Sequence, residues 1–331
     1  MDNSDIIYLD TTIYNDSSQI QPATISITRQ NVILTNPKNY KMSVIRFDIN
    51  CRNVPCILFN DQFRVSYIYN NVQYDAFLIA PTDIDQNNIG WYDRPDDFIR
   101  AINLAFENVH NQLNTAVPSL NLLVAPSVYI NDNNNVCIVF EQKYIDAQTI
   151  KIYFSRQLND KIDGFPMIIN SLAQIRIIGI EINYIENSLK NSNNIGLPIK
   201  YSNINTNLYR LNNYSFNISM LNDVRSIYIS SNIPVDFENV INLDTNNQQN
   251  VQKITQNRIT DFLFYASSNP YDARNRVTYI PSIYRYINMS SEEPLKSFDI
   301  QVFFETYDKK SYRLKILPDT SLSLKIMFEK K

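Results

Sequence analysis

The chain has 331 residues, with 30 Lys or Arg against 33 Asp or Glu and a formal net charge of −3. This length allows either two domains or one elaborated domain with a substantial core. Because a general electrostatic grip on phosphate backbones needs clustered Lys and Arg, we expect no direct nucleic-acid binding.

The N-terminal stretch MDNSDIIYLD has no basic region and no long apolar run, and nowhere do about 18 apolar residues follow one another. We therefore expect no signal peptide, no membrane insertion and synthesis on the cytosolic side. In that compartment three cysteines are most simply reduced thiols.

The first part of the chain predicts an arm followed by strands. Residues 1–27 are polar with scattered Ile and Tyr, which indicates an N-terminal arm or one weak strand. YKMSVIRFDIN (40–50) alternates, with Ile45 and Phe47 predicted on one face and Val44 on the other. QFRVSYIYNNVQYDAFLIA (62–80) predicts two strands joined by a tight turn at its two adjacent asparagines.

One segment predicts a helix, at residues 95–113. In RPDDFIRAINLAFENVHNQL (94–113) the proline at 95 stands at a plausible first helical position and two aspartates follow in the first turn. Phe98, Ile102, Phe106 and Val109 recur at spacings of three and four, so the helix should cover a sheet with one apolar stripe.

The remainder predicts further strands. Polar residues 186–198 favour a linker or an exposed loop, because they cannot bury apolar area. The C-terminal part, 199–331, ends in a hairpin that turns at Asp308-Lys309-Lys310.

The pattern as a whole predicts an all-β fold: an antiparallel jelly-roll sandwich with one amphipathic helix and an additional β-domain. The predicted division is an arm at 1–27, sandwich strands with the helix at 28–185, the linker at 186–198 and a second β half at 199–331. That second half either completes the jelly roll or forms a separate β-domain.

Residues that could support chemistry are sparse, and we predict no catalytic, cofactor or metal site. Cys51, Cys56, Cys137 and His110 could supply four zinc ligands, but their spacing is not that of paired zinc knuckles, and packed thiols are the better interpretation. DIDQNN (83–88) starts like a calcium loop and lacks its glycine and its glutamate.

Carboxylates in strand-like runs leave one enzymatic alternative open. Asp48, Glu141 and Glu181 could face each other across a sheet, as the acids of a glycan hydrolase do.

Two tyrosine-rich runs predict either half-buried strand faces or a subunit interface, where aromatic residues and Arg are enriched. They are YIYNNVQY (67–74) and YIPSIYRYI (279–287). For the interface we predict Arg276, Arg285 and Tyr286.

Three stretches resemble one protein family. NYKMSVIRFDINCRNVPCILF (39–59) resembles the N-terminal signature of the penton-type minor capsid proteins of virophages and polinton-like viruses. FIRAINLAFENV (98–109) is similar to an internal helix of that family, and residues 298–331 are similar to its terminal hairpin and final strand.

The resemblance implies a structural virion protein and no enzyme. It implies a homopentamer at each five-fold vertex of an icosahedral capsid, beside a neighbouring major capsid protein, made in the host cytoplasm. The alternatives are another β-sandwich binding module (a capsid cement, attachment or glycan-binding protein) and the carboxylate-based hydrolase.

Overall fold

The fold is described from a computed structural model, for residues 6–81, 90–130, 135–141, 143–146, 150–162, 182–185, 208–217, 221–236, 257–263 and 276–331. The predicted linker at 186–198 and the calcium-like loop at 83–88 lie outside these residues. Contacts divide the chain into unit 1 (residues 1–55 and 223–331) and unit 2 (residues 56–222).

Strands dominate both units, and every pairing among the described strands is antiparallel. The strands are β1 (Ile6–Asn15), β2 (Gln21–Pro22), β3 (Thr24–Thr28), β4 (Tyr40–Asn50), β5 (Ile57–Leu58), β6 (Arg64–Tyr69), β7 (Val72–Phe77), β8 (Trp91–Tyr92), β9 (Ser127–Ile130), β10 (Asn135–Glu141), β11 (Ile150–Phe154), β12 (Ile182–Ile185), β13 (Leu208–Asn217), β14 (Val224–Ser231), β15 (Asn257–Leu263), β16 (Arg276–Tyr279), β17 (Ile287–Asn288), β18 (Ser297–Thr306), β19 (Ser311–Arg313), β20 (Lys315–Ile316) and β21 (Thr320–Lys330). The α-helices are α1 (Pro95–Ala116), α2 (Lys143–Asp146) and α3 (Arg156–Lys161).

Unit 1 contains two sheets. The first runs β1-β21-β4-β16, with β17 also on β4, and the second runs β15-β14-β18-β19, with β3 also on β18. The two sheets pack face to face, because the ring of Phe47 on β4 lies 4.9 Å from that of Phe262 on β15. The buried side chains between them are almost all aliphatic or phenylalanine, as a sandwich core requires.

Both chain ends build the first sheet. Strand β1 pairs along its whole length with β21, from Ile6 opposite Glu329 to Asn15 opposite Thr320. Residues 6–28, within and beside the predicted arm, are thus largely strand, because antiparallel pairing takes no account of sequence separation. The units also divide the chain at other places than the predicted linker at 186–198. Unit 1 is discontinuous and uses both ends of the chain, so the boundaries fall after residues 55 and 222.

A β-bulge alters the predicted face of β4. The register between β4 and β21 slips by one residue at Ile45, which has no counterpart on β21. Val44 before it and Phe47 after it are both buried. The simple alternation predicted from the sequence, with Val44 opposite in direction to Phe47, is therefore wrong, because a bulge reverses the side on which the following residues point.

Unit 2 combines sheets with the long helix. Its sheets are β12-β13-β10-β9, β11-β6-β7 and the short pair β5-β8. Helix α1 covers them with the predicted stripe, in which Phe98, Ile102, Phe106 and Val109 are all buried. The helix runs to Ala116, three residues beyond the predicted end.

The two predicted turns carry the expected backbone conformations. Asn70 and Asn71 have φ of 47° and 66° between the paired ends of β6 and β7, as a two-residue hairpin turn requires. Lys309 has φ of 65° in the turn between β18 and β19. The predicted all-β class, an antiparallel sandwich with one amphipathic helix, is confirmed.

Candidate interaction surface

Residues 280–286, which join β16 to β17 in unit 1, form an exposed stretch that we call the aromatic loop. Ile283 is 83% exposed and Ile280 64%, and Tyr284 and Tyr286 are also exposed. Scattered apolar residues are normal on a surface, whereas large contiguous exposed apolar patches are associated with interaction sites, so the aromatic loop is the candidate surface of unit 1. The run 279–287 is therefore mostly exposed loop and not a half-buried strand face.

Two neighbours hold Tyr286 in place. The Lys41 Nζ lies 4.0 Å from the centre of the tyrosine ring, which is a cation–π contact. A hydrogen bond from the Tyr286 hydroxyl to the Glu329 carboxylate, with some burial, raises the pKa of Tyr286 to about 12. The same hydrogen bond lowers the pKa of Glu329. Since the ring is oriented before any partner arrives, contact with it costs little side-chain entropy.

Arg285 is also fixed at the rim of the aromatic loop. Its Nη1 lies 2.6 Å from the Asp261 Oδ1 on β15, and the Arg258 Nη2 lies 3.0 Å from the other oxygen of the same carboxylate. All three side chains are partly exposed, so these two ion pairs orient the side chains more than they stabilise the fold.

The outward face of the first sheet continues this surface with a charged network. The Arg46 Nε lies 3.0 Å from the Asp48 Oδ2, and the Arg46 Nη2 lies 3.7 Å from the Asp10 Oδ1. The Lys325 Nζ lies 3.4 Å from the other oxygen of the Asp10 carboxylate. Lys325 also lies 5.0 Å from the centre of the exposed Tyr8 ring. We call these five residues the charged face; its two positive and two negative side chains balance.

The structure brings together two of the three predicted interface residues. Arg285 and Tyr286 both lie in the aromatic loop. Arg276 is exposed but pairs with Asn50, whereas Ile287 pairs with Met42 eight positions away on the same strand. At about 3.3 Å per residue that is about 26 Å, so Arg276 lies at the far end of the sheet.

Sequence reasoning missed two members of this surface. Tyr8 was assigned to a polar arm, and Ile283 lay in a run considered only for its Tyr and Arg residues. The signal that could have found Ile283 is its neighbour Pro281, because a proline in a strand-like run favours a loop or an edge position.

The residues considered for metal binding do not form a cluster. Cys51 belongs to unit 1, whereas Cys56, Cys137 and His110 belong to unit 2. Cys56 and Cys137 are buried, as expected for packed thiols, but Cys51 is exposed. Within the described ranges no three metal-ligating side chains come together.

The carboxylates considered for hydrolysis are also divided. Asp48 lies on the charged face of unit 1, where it accepts hydrogen bonds from the Thr278 and Ser323 hydroxyls at 2.6 and 3.1 Å. Glu141 is buried in unit 2, and Glu181 lies outside the described residues.

The helices give one more result. Among the residues with a described structure, no helix combines the length and the apolar character needed to cross a bilayer.

Two solved structures share the fold. A chain in the cryo-EM structure of the Sputnik virophage superposes with a TM-score of 0.61 at 21% identity, covering 99% of both chains. The crystal structure of the mavirus penton protein superposes with a TM-score of 0.57 at 16% identity, covering 98% of this chain and 99% of that one. The class of the protein is thus an elaborated β-sandwich of the kind found in virophage particles.

The family follows from the sequence. The family model described as Sputnik minor capsid protein V18/19 matches residues 59–330. The chain therefore belongs to this family of minor capsid proteins and is a structural component of a virion, which confirms the resemblance seen in three stretches of its sequence. No curated protein matches the chain.

Proposed function

We propose that five copies of the chain assemble into a penton, a ring that closes each five-fold vertex of an icosahedral capsid beside a neighbouring major capsid protein. Membership of a minor capsid family carries this proposal, and the fold shared with the mavirus penton protein over almost the whole chain supports it. The ring would be made in the host cytoplasm and would act through contacts, without a catalytic centre.

The aromatic loop is our proposed lateral contact. A cyclic ring needs two different complementary patches on each subunit. The loop offers Ile283 and Tyr286 for burial and places Arg285 at the rim, the arrangement found in contact regions with strong binding energy. Arg276 would contribute separately, at the far end of the sheet.

The solution mass tests the ring. We expect light scattering to give a mass five times the 38.6 kDa of one chain, at protein concentrations that approach those of assembly. A monomer at every concentration and salt level, and particles whose vertices fill without this chain, would contradict the proposal.

A single substitution tests the contact. Ile283→Asp places a charge at the most exposed apolar position of the aromatic loop, so we expect an unchanged melting temperature and loss of the ring. Val32→Asp is the matched control, because it makes the same change at another exposed apolar residue of unit 1. Rings that survive Ile283→Asp, or that Val32→Asp disrupts equally, would exclude the loop as the lateral contact.

A further inference from the structure

A groove in unit 2 lies between strand β7 and the C-terminal half of helix α1. Its lining residues are Tyr74, Ala76, Phe77, Asn108, Asn111, Gln112, Thr115 and Ala116. Its volume is about 810 Å³. Most of these residues are exposed, so the groove is open along its length.

The helical wall of this groove is polar but uncharged. Residues 108–116 contain no Asp, Glu, Lys or Arg. Asn108, Asn111, Gln112 and Thr115 recur at helical spacing on one side, opposite the buried stripe. A solvated helix face usually carries charges, and the first turns of α1 do, with Asp96, Asp97 and Arg100. The C-terminal half instead presents a row of carboxamides and a hydroxyl.

The strand wall adds an exposed aromatic ring. Phe77 is 57% exposed although it ends a strand beside the buried Ala76. Arg64 lies 5.9 Å from the centre of its ring and also pairs with Asp75 at 3.6 Å. Gln112 donates a hydrogen bond of 3.2 Å to the Asp75 carbonyl, which fixes the helix against the strand. The groove therefore lies between a helix and a strand that a hydrogen bond fixes against each other.

From this chemistry we propose that the groove binds a neutral glycan chain. Carboxamides both donate and accept hydrogen bonds, which matches the vicinal hydroxyls of a sugar. An exposed phenylalanine offers a flat apolar surface on which the C–H side of a sugar ring stacks. The residues that line the groove are uncharged, and the nearby Arg64 is paired with Asp75, so the site offers little electrostatic attraction to phosphate. The open shape suits a polymer that passes through it better than an enclosed small molecule.

The experiment uses the full chain on an array of neutral, sialylated and sulfated oligosaccharides. The neutral oligosaccharide retained best is then titrated by calorimetry against the wild type and four variants. We expect Phe77→Ala to weaken binding about tenfold, because the stacking surface is lost. We expect Asn111→Ala to weaken it about fivefold, through loss of a neutral hydrogen bond.

Two controls give the result its meaning. Val72→Ala changes an exposed apolar residue of β7 that does not line the groove, and it should leave the affinity unchanged. Ile283→Asp alters the aromatic loop of unit 1 and should also leave it unchanged, so failure of ring assembly and failure of glycan binding are separable. Retention of charged glycans alone, retention of none, or equal affinity of Phe77→Ala and the wild type would overturn the proposal.

Discussion

The two units are built from the chain in different ways. Unit 1 joins the first 55 residues to the last 109, so that Asn15 pairs with Thr320 across almost the whole chain. Unit 2 is one continuous stretch whose sheets and helix come from residues 56–222 alone. The chain thus leaves the sandwich at Pro55 and returns at Asp223, which is the topology of a domain inserted into another.

The interiors of the two units also differ, in which elements pack against each other. The core of unit 1 lies between two sheets, and its longest strand pairings are those of β21 with β1 and β4. The core of unit 2 is rich in aromatic rings beneath α1, with the ring of Phe106 lying 6.3 Å from that of Tyr67 and 5.8 Å from that of Phe154. Unit 1 therefore depends on strand register over long separations, and unit 2 on local helix-to-sheet packing.

The largest effect should come from removing β21. Deletion of residues 320–331 takes away the strand between β1 and β4 and five buried apolar side chains, each worth about 1.5–3 kcal/mol. The sum is on the order of 10 kcal/mol, comparable to the whole stability of a domain. We expect hydrogen exchange to show unit 1 unprotected while α1 stays protected.

Deletion of residues 330 and 331 alone is the control for that truncation. It leaves all five buried side chains of β21 in place and should preserve protection in both units. Loss of protection in α1 upon deletion of 320–331 would show that unit 2 does not fold independently of unit 1.

Two phenylalanines allow the units to be compared by the same substitution. Phe106→Ala in unit 2 and Phe47→Ala in unit 1 each empty a fully buried site and should each cost about 3–5 kcal/mol. We expect each variant to lower hydrogen-exchange protection in its own unit only. Equal loss in both units from either variant would mean that the chain unfolds as one cooperative body.

A smaller effect should arise at a buried asparagine that joins the two chain segments of unit 1. The Asn53 Oδ1 accepts hydrogen bonds from the Leu317 backbone N–H at 3.0 Å and the Thr320 hydroxyl at 2.8 Å. Asn53→Ala leaves the buried Leu317 N–H without its acceptor, whereas the Thr320 hydroxyl keeps the Leu317 carbonyl as an acceptor at 2.6 Å, so we expect a loss of about 2 kcal/mol in urea unfolding. The exposed Asn288→Ala should change stability by less than about 0.5 kcal/mol, and an equal effect of the two variants would refute the assignment.

Local signals in the sequence predicted local structure well. The apolar spacing of α1 and the paired asparagines at 70 and 71 each carry their conformation within a few residues. The pairing of β1 with β21 has no such signal, because it joins positions more than 300 residues apart, and so the sequence predicts only an arm or one weak strand in its place. The bulge at Ile45 was also invisible, since it is defined by the register of a partner strand.

The candidate surface was likewise predictable only where it depends on neighbouring residues of the sequence. Composition pointed to a Tyr- and Arg-rich run, and the structure exposes Arg285 and Tyr286 there. Position along a sheet separates Arg276 from them, which no pattern within one strand reveals. Tyr8 joins the charged face only because the first strand pairs with the last.

The smallest effect concerns a buried acid in unit 2 and depends on pH. The Glu141 Oε1 accepts a hydrogen bond of 2.8 Å from the Leu123 backbone N–H, and burial raises the pKa of this carboxyl above its ordinary 4.5. The folded state therefore favours the neutral acid. Its contribution to stability is fully present below pH 4.5 and is lost as the pH rises through the raised pKa.

Glu141→Gln keeps an acceptor for the Leu123 N–H and removes the ionisation. We expect the variant to match the wild type in stability near pH 4.5 and to exceed it at pH 7, where the wild type must bury a charge. Urea unfolding of both proteins at the two pH values measures this difference in stability. Hydrogen-exchange protection in α1 reports whether unit 2 is the part that unfolds. A difference that stays constant between the two pH values would show that Glu141 does not titrate in this range. Since unit 1 contains no part of this contact, the same pH change should leave the effect of Asn53→Ala unaltered, which separates the two units by a second, independent variable.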